Sequence, residues 1–261
     1  MSIFTVTKRD LSQALYTGRI VPAYQPIIQV PNGIPVGIEI LARWFLSDGS
    51  SVPPDIFIPL INRSRLEVAL SRSLLLQAAP IMRALSFPTD HPLILGINAS
   101  PECLASPEFA CVCAEFLATC NGTRIRLAVE ITEHEPLTSG LLPALCWLQH
   151  LGIKIVLDDF GTGYATADVL SWLQPDVVKL DHSLTKLAGK NDPDGILTKT
   201  IEMLDRYRVD ILAEGVETLT EYRWLAERNI NLFQGFLFGR PMLAEPLIQN
   251  LRDGIYITTI N

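Results

Sequence analysis

The sequence lacks the features that mark several large classes of protein. No apolar run approaches the ~20 residues of a membrane span, and the first residues, MSIFTVTKRDL, contain no apolar core of a signal peptide. Basic residues are not in excess: the formal net charge is −7, whereas nonspecific nucleic-acid binding needs a basic surface. We therefore expect a cytoplasmic protein whose chain makes no membrane contact and binds no nucleic acid polymer.

Cysteine is also sparse, and its spacing fits no metal site. The chain has five cysteines, an odd number, and none of them form a C-x-x-C pair. This pattern argues against a structural zinc site. It predicts buried, reduced thiols at Cys103, Cys111, Cys113, Cys120 and Cys146.

Short apolar runs rich in Val, Ile and Leu recur along the chain, with helix-like stretches between most of them. Their positions are 21–30, 35–44, 93–100, 124–133, 154–161, 176–181, 210–217 and 231–239. Strands that are buried on both faces and alternate with helices indicate a mainly parallel sheet covered by helices. Eight strands in about 250 residues favour a (β/α)8 TIM-like barrel over an open sheet. No G-x-G-x-x-G follows an early strand, which makes a dinucleotide-binding sheet the weaker alternative.

The first two runs depart from this alternation. They are joined only by PNGI, which has room for a hairpin but not for a crossover helix. We therefore expect an α/β barrel with one antiparallel strand near the N-terminus. The boundaries that we predict are a lead helix or linker to an upstream region at 1–19, the barrel domain at 20–252 and a tail at 253–261.

Polar residues interrupt the apolar runs near their downstream ends. They are Glu39, Asn98, Glu130, Glu133, Asp158, Asp159, Lys179, Asp181, Glu214, Glu217 and Gln234. Parallel barrel strands bring their carboxyl ends to one mouth, so we expect these residues to surround a single pocket. A helix cap or an acidic turn would explain any one acid, but it explains the full set poorly.

The acids in this set predict a metal centre. Five carboxylates at one mouth would carry a formal charge of about −5, which a fold can hold only with raised pKa values or with cations. Oxygen ligands together with one amide, Asn98, suit Mg²⁺ or Mn²⁺. Lys179 and Arg43 would add positive charge for an anionic substrate. A paired-metal site of this kind is typical of phosphoester hydrolysis, although the residues alone leave the substrate open.

The motifs, taken in order, resemble those of the EAL-domain phosphodiesterases, which hydrolyse cyclic di-GMP. The signature appears as Glu39-Ile40-Leu41, and around it stand YQPI, NAS, EITE, DDFGTGY, VKLD, AEGVE and QGFLFGRP. The resemblance implies that residues 20–252 form an EAL phosphodiesterase domain. The implied reaction is attack of a metal-activated water on one phosphodiester, which opens cyclic di-GMP to linear pGpG. The implied cofactors are two Mg²⁺ or Mn²⁺ ions, with Ca²⁺ inhibitory.

The resemblance also implies a role for each matching residue. The implied metal ligands are Glu39, Asn98, Glu130 and Asp158 for one ion, with Asp158 bridging to a second ion that Asp159 and Glu214 help to hold. The implied catalytic residues are Glu39, Lys179 and Glu214. The implied substrate contacts are Gln25, Arg43, Asp181, Glu217 and Gln234. Glu133 would support the loop from Asp159 to Tyr164, and the implied protein partner is a second copy of the chain in a homodimer.

Two alternatives to an active enzyme remain. One is a catalytically silent EAL-like module that binds cyclic di-GMP or a protein partner, although such members usually lose metal ligands that this chain keeps. The other is an unrelated barrel hydrolase, such as a glycosidase with two carboxylates, which leaves Asn98 and Lys179 without roles. The chain departs from the family pattern at Ile40, where alanine is usual, and at Ala165-Thr166, where two serines are usual. Because many relatives carry upstream sensory or membrane domains, the chain also fits the cytoplasmic domain of a larger membrane-anchored protein.

Overall fold

The computed structural model describes residues 6–85, 91–132, 137–161, 167–190 and 195–253. The strands are β1 (Ile20–Gln29), β2 (Ile34–Phe45), β3 (Ser51–Val52), β4 (Leu93–Ala99), β5 (Ile125–Thr132), β6 (Lys154–Phe160), β7 (Val177–Leu180), β8 (Asp210–Ala213) and β9 (Leu232–Phe233). The α-helices are α1 (Lys8–Tyr16), α2 (Pro54–Ser64), α3 (Glu67–Ala84), α4 (Pro101–Leu104), α5 (Pro107–Thr119), α6 (Leu142–His150), α7 (Ala167–Leu173), α8 (His182–Thr185), α9 (Ile196–Tyr207), α10 (Leu219–Ala226) and α11 (Ala244–Asp253). A 3₁₀ turn at Ser139–Leu141 precedes α6.

Eight of the strands close into a barrel. Their order is β1-β9-β8-β7-β6-β5-β4-β2, and pairing of β1 with β2 closes the ring. Strand β1 runs antiparallel to both of its neighbours, and the other barrel pairs are parallel. The predicted barrel with one antiparallel strand is therefore confirmed. The short β3, which the sequence did not predict, bonds to β2 outside the ring.

The helices cover the barrel with their apolar faces. Helix α9 shows the pattern: Leu197, Ile201 and Leu204 recur at helical spacing and are buried, while the opposite face is exposed. Helix α10 begins with a capping box in which Thr218 and Glu221 bond to each other's backbone N–H groups. This cap fixes the start of the helix just after β8, on the side of the barrel where the acidic residues collect.

The last two barrel strands are shorter than the apolar runs indicate. Strand β8 ends at Ala213 and β9 at Phe233, so Glu214, Glu217 and Gln234 follow the strands instead of lying within them. Extended backbone nevertheless keeps Glu214 and Gln234 next to the sheet, because Glu214 N donates to Leu180 O and Gln234 N donates to Ala213 O. The mouth therefore contains both strand residues and the first residues of the following loops.

The cysteine prediction is partly wrong. All five cysteines are free thiols, and Cys103, Cys113 and Cys120 are buried, but Cys111 and Cys146 are exposed on their helices. Burial raises the pKa of both Cys103 and Cys113 to about 12, so these two thiols stay protonated and inert. Within the described residues, no helix combines the length and the apolar character needed to cross a bilayer.

Candidate active site

Most of the predicted polar residues lie at the mouth formed by the carboxyl ends of the parallel strands. A cavity of about 370 Å³, which we call the upper cavity, opens at this mouth. Its lining includes Gln25, Glu39, Asp158, Asp159, Glu214, Glu217 and Gln234. Residues that are far apart in the sequence, such as Gln25 and Gln234, become neighbours because the carboxyl ends of all the parallel strands lie at this mouth.

A buried lysine forms the centre of the acidic cluster. Lys179 Nζ lies 2.6 Å from Glu130 Oε2, 2.6 Å from Glu214 Oε1, 3.1 Å from Asp158 Oδ1 and 3.4 Å from Glu39 Oε2. Its side chain is only 1% exposed. The four carboxylates outweigh the effect of burial and raise the pKa of Lys179 well above its ordinary value, so it stays charged. One fixed positive charge thus holds four acids together.

A chain of amides orients the signature glutamate. Asn98 Nδ2 donates to Glu39 Oε1 at 2.9 Å, and Gln234 Nε2 donates to Glu39 Oε2 at 2.7 Å. Gln234 Nε2 also lies 3.3 Å from Gln25 Oε1, and Gln25 Nε2 donates to Gly239 O at 3.1 Å. Burial alone would raise the pKa of Glu39, but Lys179 and the two amide donors outweigh it and lower that pKa. Glu39 is therefore held ionised in a fixed orientation.

The pKa values of three other acids in the cluster shift in the opposite direction, upward. Burial, opposed only in part by Lys179, raises the pKa of Glu130 to about 8 and that of Asp158 to about 6. Burial also raises the pKa of Glu214 well above its ordinary value. The single charge of Lys179 does not neutralise four acids, so some of them hold protons near neutral pH. A divalent cation would replace those protons.

The carboxylate oxygens form two groups that could each hold a metal ion. Glu39, Glu130 and Asp158 make the first group, and Asp158, Asp159 and Glu214 make the second. In each group the ligand oxygens lie within 4.8 Å of one another, and Asp158 belongs to both. These oxygen donors, with the Asn98 amide beside Glu39, fit hard divalent cations. The arrangement matches the ligand sets that the resemblance implies, and their roles as ligands remain a prediction.

The backbone between the two acids is strained. Asp159 has φ 56°, a left-handed conformation that a non-glycine residue seldom adopts, and its N–H donates to Asp158 Oδ1 at 2.8 Å. Because of this turn, the side chain of Asp159 points toward the cavity. In a regular strand it would point to the face opposite that of Asp158. Two adjacent acids can therefore serve one site.

Several other predicted residues also lie at or near this mouth. Asp181 caps α8 through Ser183 N at 2.8 Å and contacts His182 Nδ1 at 3.0 Å. Glu217 pairs with Lys186 at 2.8 Å.

Arg43 is half-buried on β2 and its Nη1 donates to Ala42 O, but it is not among the described residues that line the upper cavity. Glu133, Ala165 and Thr166 lie outside the described residues, whereas Ile40 packs into the core and leaves Glu39 facing the cavity.

The cavity wall also contains residues that the sequence did not predict as part of the site, among them His182, Lys186 and Phe236. His182 begins helix α8 at the mouth. A signal was available, because the residues that follow a barrel strand belong to the loops that build such a mouth. His182 and Lys186 follow β7 directly, and Phe236 follows β9.

A model of the family described as "EAL domain" matches residues 8–241. Among curated proteins, "Probable cyclic di-GMP phosphodiesterase PdeG" of Escherichia coli K12 is 35% identical over 92% of this chain and 48% of its own length. "Cyclic di-GMP phosphodiesterase PdeL" of the same organism is 31% identical over 93% of this chain and 68% of its own length. The chain thus spans about half the length of PdeG.

Solved structures agree with this match. "PaMucR Phosphodiesterase, c-di-GMP complex" has a TM-score of 0.79 and 30% identity, covering 92% of this chain and 98% of that one. "Klebsiella pneumoniae BlrP1 pH 8.0 calcium/cy-diGMP complex" has a TM-score of 0.70 and 27% identity, covering 87% of this chain and 56% of that one. The range matched by the family model, residues 8–241, includes all the barrel strands.

Proposed function

Because the chain belongs to the EAL domain family, we propose that it is a phosphodiesterase that hydrolyses cyclic di-GMP to linear pGpG. The observation that supports this most directly is the pair of carboxylate groups that share Asp158 at one mouth of the barrel. The proposal also draws on the relatives PdeG and PdeL, whose names describe cyclic di-GMP phosphodiesterases.

We assign two divalent cations, Mg²⁺ or Mn²⁺, to the two carboxylate groups. Cations bound there would act as Lewis acids, which would lower the pKa of the attacking water and offset the charge of the phosphodiester. The group of Glu39, Glu130 and Asp158 is buried and includes the most rigidly held ligand, because Asn98 and Gln234 fix both oxygens of Glu39. Asp159 and Glu214, on the more open side, hold the second cation.

The chain's own residues then position the substrate and the proton. Glu214 borders the upper cavity, where its carboxylate would assist deprotonation of the attacking water. Lys179 stays protonated and cannot act as a base. Its Nζ instead donates hydrogen bonds, keeping the acids at fixed separations and presenting one positive charge to the phosphate.

The amides and charges around the cavity would bind the rest of the dinucleotide. Gln25 and Gln234 carry donors and acceptors that match the edge of a guanine. Arg43, Asp181 and Glu217 remain our predicted contacts to phosphate and base. We also retain a homodimer and a cytoplasmic location as proposals, and analytical ultracentrifugation tests the first of these.

Incubation of the purified protein with cyclic di-GMP and Mg²⁺ or Mn²⁺, followed by chromatography, tests the activity. We expect pGpG from the wild type and from Asp205→Asn, which removes an exposed acid on α9, and no product from Glu39→Ala. We expect Ca²⁺ to inhibit. Binding of cyclic di-GMP by the wild type without product in either Mg²⁺ or Mn²⁺ would overturn the proposal in favour of a silent binding module.

A further inference from the structure

The barrel has a second cavity at its opposite mouth, where the parallel strands begin. This cavity, which we call the lower chamber, has a volume of about 220 Å³, and all eight barrel strands contribute to its lining. The interior of such a barrel is usually filled by layers of bulky side chains. Here the lining includes Gly37, Gly96 and Ala128, which contribute no bulky side chain to such a layer; the Glu130 carboxylate lies against Gly96 and Ile27 lies against Gly37.

A buried ion pair separates the lower chamber from the upper cavity. Glu130 and Lys179 line the chamber and bond to each other at 2.6 Å, with side chains that are 2% and 1% exposed. A Cβ on residue 96 would occupy the position of the Glu130 carboxylate, so glycine is required there for the pair to form. The chamber therefore has a fixed charged roof, and a molecule in it would enter from the end opposite the acidic site.

The walls of the chamber are apolar but not fully shielded from solvent. Ile94, Val177 and Leu232 each line it and are only partly buried, unlike the fully buried residues that alternate with them along their strands. Partly exposed aliphatic side chains around a concave space favour an apolar occupant, since removing apolar surface from water is favourable. A dry cavity of about 150 Å³ can hold benzene, so this chamber has room for a bicyclic ring.

The charged residues that line the chamber below the Glu130–Lys179 pair include two acids and one lysine. Lys154 and Asp176 line it and pair with each other at 2.6 Å, and Asp176 also accepts the Ile155 N–H at 2.8 Å. Asp210, at the start of β8, also lines the chamber, and its carboxylate is exposed to solvent. Lys154 and Asp176 offset each other, so Asp210 supplies the remaining charge among the lining residues below the Glu130–Lys179 pair. A cationic group on the ligand would be attracted there.

We propose that the lower chamber is a binding site for a small organic ammonium ion with an aromatic or compact aliphatic body. The apolar body fills the space among Ile94, Val177 and Leu232 below the Glu130–Lys179 pair, while the ammonium group stays at the rim beside Asp210. This site goes beyond the phosphodiesterase assignment and does not depend on it, because its lining, its entrance and its test are separate from the hydrolysis of cyclic di-GMP.

Three indole compounds that differ in charge provide the test: tryptamine, indole and indole-3-acetate. Each is titrated into the full chain by calorimetry in Mg²⁺, which competes with cationic probes at the upper carboxylates. We expect one site with a dissociation constant on the order of 0.1–1 mM for tryptamine, weaker binding of indole and weakest binding of the acetate. No saturable binding of tryptamine would overturn the proposal.

Two variants locate the site. Val177→Phe fills the chamber and should abolish binding of both tryptamine and indole. Asp210→Asn should weaken tryptamine about three- to tenfold and leave indole unchanged, while Asp205→Asn on the surface of α9 should change neither. Asp210 is exposed at a strand end, so its variant stays informative even if Val177→Phe fails to fold. Tryptamine binding that Asp210→Asn leaves unchanged would overturn the ammonium assignment.

Discussion

The two mouths of the barrel are built from the same eight strands yet have opposite chemistry. The upper mouth contains Gln25, Glu39, Asn98, Glu130, Asp158, Lys179, Glu214 and Gln234. Two positions away on the same strands, the lower chamber is lined by Ile27, Gly37, Gly96, Ala128, Val156, Val177, Leu212 and Leu232. Side chains two apart on a strand share a face, so each strand presents one polar and one apolar or small residue to the interior.

This difference shows how the barrel can hold a dense charge cluster. The small residues of the lower layer make room for the long side chains of Glu130 and Lys179, which occupy the centre of the barrel. The carboxylates of the polar layer above then find partners inside the cluster: Lys179 forms an ion pair with Glu130, and the amides of Asn98 and Gln234 donate hydrogen bonds to Glu39. The upper mouth therefore carries the chemistry, and the lower layer provides the space that the chemistry needs.

The largest expected effect is the loss of the ligand that both carboxylate groups share. Asp158→Asn should lower kcat/KM for cyclic di-GMP about 10³-fold or more, because it removes a charge from both groups at once. Steady-state chromatography of pGpG measures this, and Asp205→Asn is the matched control on the surface. Activity within about tenfold of the wild type would show that the upper mouth does not depend on a shared acid.

The next prediction compares how much a lysine at each mouth contributes to the stability of the fold. Lys179→Met removes the buried charge that binds four acids and should lower the free energy of unfolding by about 3–5 kcal/mol in EDTA, with partial recovery in Mg²⁺. Lys154→Met removes a rim pair that is half exposed and should cost at most about 1 kcal/mol. Urea denaturation measures both values, and equal losses would contradict the difference that we infer between the mouths.

A glycine of the lower layer tests whether that layer supports the upper one. Gly96→Ala places a methyl group where the Glu130 carboxylate lies, so it should displace Glu130 from Lys179 and cost about 1–3 kcal/mol. The control is Gly140→Ala, where the nearest atom to the added Cβ is Thr138 Oγ1 at 3.5 Å. Thermal unfolding with and without Mg²⁺ should show a reduced metal-induced stabilisation for Gly96→Ala alone.

The last contrast concerns the effect of pH on stability. In the metal-free protein the pKa values of Glu130 and Asp158 are raised to about 8 and about 6, so between about pH 4 and pH 8 the folded state holds protons that the unfolded state has lost. Stability in EDTA should therefore fall as pH rises through this window, and the gain in Tm from Mg²⁺ should grow. Scanning calorimetry measures both slopes, and Glu130→Gln should flatten the EDTA slope. A slope that is the same in the wild type and in Glu130→Gln would contradict this assignment.

Much of this architecture could be predicted from the sequence. The short PNGI connection indicated the antiparallel strand. Five of the predicted acids line the upper cavity because parallel strands share one direction; they are Glu39, Asp158, Asp159, Glu214 and Glu217. The lower chamber could not be predicted, because a run that is apolar at every position hides which alternate residues face inward. His182 and Lys186 escaped notice because a one-turn helix after β7 returns them to the mouth. The inward turn of Asp159 depends on a left-handed backbone that adjacent acids do not reveal.

The measurement that tests the central claim most directly is anomalous scattering from a crystal soaked in Mn²⁺. We expect two peaks at the upper mouth, one among Glu39, Glu130 and Asp158 and the other among Asp158, Asp159 and Glu214. Lys179 should then no longer contact all four carboxylates. A crystal at full Mn²⁺ occupancy elsewhere that shows no peak among these side chains would contradict the claim that the upper mouth is a metal centre.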